Sequence, residues 1–142
     1  MTVFSIDLKE LVQDIIMVSW SLFRVMIPTL IVVKIAQDLG VVDILDIWLK
    51  PITELIGLPA SLSIVLTTTM LTNPYAGLIV LASLDMPFGL TVAETSILAS
   101  FMLFAHALPV EAVISRQAGT KIIFVVLLRI FTAIIFCFIL SQ

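Results

Sequence analysis

The sequence predicts an all-α integral membrane protein, and three observations carry that prediction. Of the 142 residues, 61% are hydrophobic and the mean hydropathy is +1.27, against roughly 45–50% apolar residues in a soluble domain. Charged residues make up 12%, about half the soluble share. Apolar stretches recur that match the roughly 20 residues a helix needs to cross a bilayer. The length leaves room for three or four spans in a single membrane domain, 1–142, with little outside the bilayer.

Residues 3–36 read as one helix with two characters. Over 1–14, Phe4, Leu8, Leu11 and Val12 share one face while Asp7, Glu10 and Asp14 share another, the pattern of a helix start in the interface. Residues 15–36 are apolar enough to span, with Trp20 toward one end and Lys34 toward the other, where their polar tips reach headgroups. Arg24 and Pro28 fall inside this span, and Gly40 closes the helix. The three acidic residues ahead of the apolar core argue against a cleavable signal.

Residues 41–56 form an amphipathic segment, with Asp43, Asp46 and Lys50 three and four apart and Trp48 as an interfacial anchor. It is too short and too charged to span, and it should lie on the membrane surface, with Pro51 starting a new turn.

Residues 59–84 are an apolar run broken in its middle by Asn73-Pro74. Pro74 lacks an amide hydrogen and disfavours helical geometry at Asn73. Each half is about 20 Å long at 1.5 Å per residue, which suits a re-entrant hairpin better than a crossing. Asp85 to Gly89 read as a loop. The next helix covers 91–118, begins at Thr91 or Thr95, and is broken at Pro109 beside His106 and Glu111. Residues 121–140 are a plain final span apart from Arg129.

Candidate site residues cluster at the two breaks. Thr69, Thr72 and Asn73 offer hydroxyl and amide groups to a small polar solute; the competing reading has Asn73 capping its own helix end and the threonines bonding back along theirs. His106 and Glu111 are ionisable groups inside a span, costly there and functional candidates for that reason. Histidine, with an ordinary pKa of about 6.5, suits proton carriage; the competing reading pairs Glu111 with Arg116 at the surface. Arg24 and Arg129 are possible charge partners for a carboxylate or an anionic substrate, or structural cations. Unwound carbonyls suit sodium and His106 suits a proton, so either is an expected coupling ion.

Other classes fit poorly. A net charge of −3 without a basic cluster argues against nucleic acid. One histidine and one carboxylate fall short of a metal ligand set, and no metal or cofactor is expected. Gly-x-Ser-x-Gly, His-Glu-x-x-His and glycine-rich phosphate loops are absent, so no enzymatic activity is expected. The single cysteine, Cys137, reads as a packing residue in the last span.

Gly57-Leu58-Pro59, Asn73-Pro74-Tyr75-Ala76 and above all Phe104-Ala105-His106-Ala107-Leu108-Pro109-Val110-Glu111, in the order span, surface helix, hairpin, broken span, span, resemble the nucleoside-recognition or Gate family of membrane proteins. Its relatives include spore maturation proteins A and B, the gate of ferrous-iron transporter B, and distantly the concentrative nucleoside transporters. The resemblance runs from about Gly40 onward. It implies one Gate-type repeat in a bacterial or archaeal inner membrane, and a nucleoside as solute. The cysteine associated with iron passage in the iron-transporter gate has no counterpart here, which argues against ferrous iron.

In the concentrative transporters a similar unit occurs twice in opposite orientations, so the resemblance also implies a paired unit. Lys9, Arg116 and Lys121 flank the expected membrane on one side and Lys34 and Lys50 on the other, almost no positive-inside bias. An antiparallel homodimer, a parallel homodimer and a heteromer with a sibling Gate-domain chain all remain open. The expected function is a half-size transporter-like protein moving a small polar solute as an oligomer. The alternatives are a non-transporting scaffold or assembly subunit, and a passive channel.

Overall fold

The computed structural model describes residues 8–84 and 89–142, which are all-helical. The expectations for Phe4, Asp7 and the loop at 85–88 lie outside the described residues.

Helix α1, Leu8–Asp38, continues through Pro28. Gly40 ends it in the left-handed region at φ 80, its amide donating to Gln37, the conformation glycine adopts without steric cost. Helix α2, Val41–Leu55, follows directly. It also runs through its proline, where the sequence predicts a fresh turn at Pro51. Pro51 is exposed, so the backbone group left without its helical partner is not sealed in the core.

Pro59 precedes a 3₁₀ turn, Ala60–Leu62, which leads into α3, Ser63–Leu71. The chain breaks at Thr72 and Asn73 and restarts as α4, Pro74–Ser83. Helices α3 and α4 fold back on each other as a hairpin. Gly77 makes this possible, because a Cβ there would collide with Thr69 Oγ1 and lie 3.2 Å from Met102 Cε. Neither arm has the length of a span.

Thr91 starts α5, Val92–Ala105, through a reciprocal capping box with Glu94. After His106 and Ala107 the chain continues as α6, Leu108–Gln117, and then as α7, Ile122–Leu140. Gly119, at φ 85, makes the turn between these two.

Helix α7 runs antiparallel to α5 and α6 along their full length. Cys137 Sγ lies 3.5 Å from the Ile97 carbonyl, Arg129 meets Phe104, and Ile122 and Val126 share a cavity wall with Leu108, Pro109 and Ala112. Helices α5 and α6 thus form one interrupted span of 26 residues. The core is a column of Leu62, Val65, Leu66, Ile97, Leu98, Phe101 and Ala105, with Phe101 wholly enclosed at its centre.

Among the described residues, three helices are long and apolar enough to cross a membrane: α1, the α5–α6 pair and α7. Their outward faces are covered in exposed Ile, Leu, Val and Phe, including Phe124 and Phe131 on α7, as expected of surfaces that meet lipid or a partner helix.

Candidate functional site at two helix breaks

The sequence interrupts two helices, and the fold brings the interruptions together. The end of α3 reaches the α5–α6 break, where the Ala107 amide donates to the Thr69 carbonyl at 3.0 Å. Ala107 occupies the left-handed region at φ 47 without being glycine, a conformation that costs of order 1–2 kcal/mol for an ordinary residue. That strain lets the chain turn sharply between α5 and α6 and point an amide at α3. Pro109 lies in the first turn of α6, where its missing N–H is harmless. The break therefore falls at His106 and Ala107, ahead of the proline.

His106, Glu111 and Arg129 form one network around this turn. His106 Nε2 is 2.8 Å from Glu111 Oε1. Arg129 Nη1 pairs with Glu111 Oε2, and Arg129 Nε donates to the Phe104 carbonyl at 2.8 Å. His106 Nδ1 lies 3.0 Å from the Met102 carbonyl and 3.1 Å from that of Leu103. Both imidazole nitrogens therefore face acceptors. The imidazole can donate from Nδ1 to these carbonyls or from Nε2 to Glu111, according to its tautomer, and a proton shared with Glu111 would let it do both. Arg129 reaches across from α7 and compensates the carboxylate, as an ionised group inside a span requires. Arg116, the alternative partner for Glu111, lies exposed in the last turn of α6.

The hairpin residues are placed differently. Asn73 caps α4, its Oδ1 accepting from the Ala76 amide at 2.9 Å. Thr69 and Thr72 donate to the carbonyls of Val65 and Thr68, at 2.8 and 2.6 Å. Their hydroxyls can still accept, yet the donors are spent on the backbone. Thr69 is fully buried against Gly77, and its carbonyl provides the link to the second break. Arg24 is on the outer face of α1, far along the chain from the network and without an ion pair among the described residues.

Two cavities flank the junction. An open cleft of about 290 Å³ is lined by Pro74, Leu78, Ala99, Met102, Leu103 and His106. On the other side, a cavity of about 240 Å³ is walled by Leu45, Leu49, Thr67, Met70, Leu108 and Pro109, among others. Thr67 is fully buried and its hydroxyl has no hydrogen-bond partner among the described residues. Sequence reasoning missed this residue because Thr67, Thr68 and Thr69 are indistinguishable as a run.

A second polar junction also went unread. Ser63 donates to Asp46, tying α3 to α2, while Asp46 pairs with Lys50 at 3.3 Å. The three-and-four spacing of Asp46 and Lys50 signalled their pairing; nothing local signalled Ser63. No group of three or more metal-ligating side chains occurs among the described residues.

No family model matches the chain, and no solved structure matches it. The chain is 31% identical over 112 residues to the uncharacterized membrane protein YvoD of Bacillus subtilis (strain 168). That match takes in 79% of this chain and 35% of the relative, so the matched region is about a third of the relative's length. Three apolar helices of spanning length and a membrane-protein relative make this an all-helical membrane protein.

Proposed function

We propose that this chain is half of a secondary-transporter-like unit, which binds and moves a small polar solute as an oligomer. The observation that supports this reading is the meeting of two interrupted helices at the Thr69–Ala107 hydrogen bond, with His106, Glu111 and Arg129 gathered beside it. Non-helical backbone at membrane depth survives only where protein or a water-lined cavity satisfies it. Secondary transporters use such interruptions to build their binding sites.

The cleft beside His106 offers a solute apolar walls and one imidazole edge. A nucleoside, the solute implied by the Gate resemblance, is the first to try, since a flat base suits those walls. Between the two coupling ions, a proton fits better than sodium. Both Glu111 oxygens are already engaged, and the 2.8 Å contact between His106 Nε2 and Glu111 Oε1 is short enough for a shared proton. The Gate resemblance also makes a bacterial or archaeal inner membrane the expected location.

One observation favours the scaffold alternative: Asn73, Thr69 and Thr72 direct their hydrogen bonds to their own helices. The deciding experiment is uptake into proteoliposomes of labelled nucleosides, bases, small carboxylates and amino acids, under imposed proton or sodium gradients. Proton-driven uptake, abolished by His106→Ala and Glu111→Gln in folded protein, supports the proposal. No uptake by a folded oligomer favours the scaffold. Fast flux indifferent to both gradients identifies a channel.

A further inference from the structure

Helix α1 packs against α6 and α2; Val25 and Thr29 are half-buried and Val33 is buried, and the opposite face is open. That open face carries Trp20, Phe23, Arg24, Ile27 and Pro28, which line a shallow groove of about 240 Å³. Asp14 and Lys34 bound an uncharged stretch of α1 interrupted only by Arg24, which stands midway between them. The stretch is close to 30 Å long at 1.5 Å per residue, the thickness of the hydrocarbon layer. Arg24 therefore falls near the bilayer centre, where its side chain is least able to reach either surface.

A second unmet need coincides with the first. Pro28 has no amide hydrogen, so the Arg24 carbonyl lacks the donor that a regular helix would supply from four residues ahead. Among the described residues the guanidinium has no ion pair, and the carbonyl of the same residue lacks its regular helical donor, both on an exposed apolar face. Intramembrane arginines almost always face protein or water and pair with another group.

We propose that this face of α1 docks a transmembrane helix of a different polypeptide, one that carries an aspartate or glutamate at mid-depth. A carboxylate is the group that takes the guanidinium in two-point contact and neutralises it. Among the described residues, a second copy of this chain offers no uncommitted carboxylate at mid-span: Glu10 stands at the start of α1, and Asp43 and Glu54 at the two ends of α2. Glu111 is held by His106 and Arg129, Glu94 by the Thr91 cap, and Asp46 by Lys50 and Ser63. Asp14 and Asp38 lie toward the ends of α1, and a symmetric α1–α1 contact sets Arg24 against Arg24. The inference does not depend on whether the protein moves a solute.

The test uses the full chain in its native membrane, with p-benzoylphenylalanine in place of Phe23 or Ile27, and identifies the cross-linked peptide by mass spectrometry. The expected product is a span of another polypeptide with an acidic residue within one turn of its midpoint. Arg24→Leu should lower its yield at least tenfold; leucine inserts more readily than arginine, so a failure of insertion is not the expected cause. Arg24→Asp should also lose it and regain it when the partner's acidic residue is changed to arginine. Adducts with lipid alone, with a second copy of this chain, or with a span lacking that carboxylate would each overturn the proposal, as would an unchanged yield in Arg24→Leu.

Discussion

Glu111 is the residue on which the network turns, since it alone touches both His106 and Arg129. Neutralising it leaves the Arg129 guanidinium without its carboxylate inside a span. The side chains of His106, Glu111 and Arg129 are 27%, 30% and 24% exposed, so the full penalty of a broken buried pair does not apply. Glu111→Gln should cost about 1–3 kcal/mol, measured by reversible unfolding in mixed micelles. Arg129→Gln should cost a similar amount, and the double variant less than the sum, because the two substitutions remove one interaction. Thr67 makes the opposite case. Its buried hydroxyl has no partner among the described residues, and valine keeps the shape while removing the polar group. Thr67→Val should be neutral or raise stability by up to about 1 kcal/mol; a loss above 1 kcal/mol would mean the hydroxyl is satisfied in the folded protein.

The helix junctions show what local sequence can reveal. Asn73-Pro74, Thr91 with Glu94, Gly40 and Gly119 are local signals, and each marks a helix end in the structure. Pro28 and Pro51 use the same residue type without ending a helix: both are exposed, and each helix continues with one regular hydrogen bond missing. The link between breaks was beyond local reading, since Thr69 and Ala107 meet through the packing of α3 against α5. The Arg129–Glu111 pairing was legible as one of several options, and only the antiparallel course of α7 selects it. Two predictions belong to the hairpin. Asn73→Ala should cost about 1 kcal/mol as a lost cap, while Asn73→Asp and Asn73→Ser keep stability; if any uptake activity follows that same order, the residue acts as a cap, and if it falls in all three, Asn73 also contacts solute. Gly77→Ala should destabilise by about 1–3 kcal/mol by forcing α4 off α3, and Thr69→Ala in the same chain should recover most of it, because the Thr69 hydroxyl is what the new methyl meets.

At the scale of the whole molecule, the arrangement fixes how the chain should thread a bilayer. The α5–α6 pair lies antiparallel to α7, and Gly57, at the entry to the hairpin, approaches Ser141 at the end of α7. The hairpin thus enters from the side where α7 ends, reaches the break at Thr69, and turns back. With α1, the α5–α6 pair and α7 as spans and the hairpin returning to the side it entered, the start of α1 and the end of α7 would lie on opposite faces of the membrane. Lys9, Arg116 and Lys121 then flank one face and Lys34 and Lys50 the other, so the charge bias amounts to one residue. Orientation follows the excess of Lys and Arg in short loops, and here the excess is nearly nil. Single cysteines at Thr120 and Gln142, in a Cys137→Ala background, should each be labelled in part from both sides of intact vesicles. Adding two lysines beside Gly119 should shift Thr120 labelling almost wholly to the cytoplasmic side and Gln142 labelling to the other. One-sided labelling of the unaltered chain would mean that something besides its own charges sets its direction, and a partner helix docked on α1 at Arg24 is the candidate the structure offers.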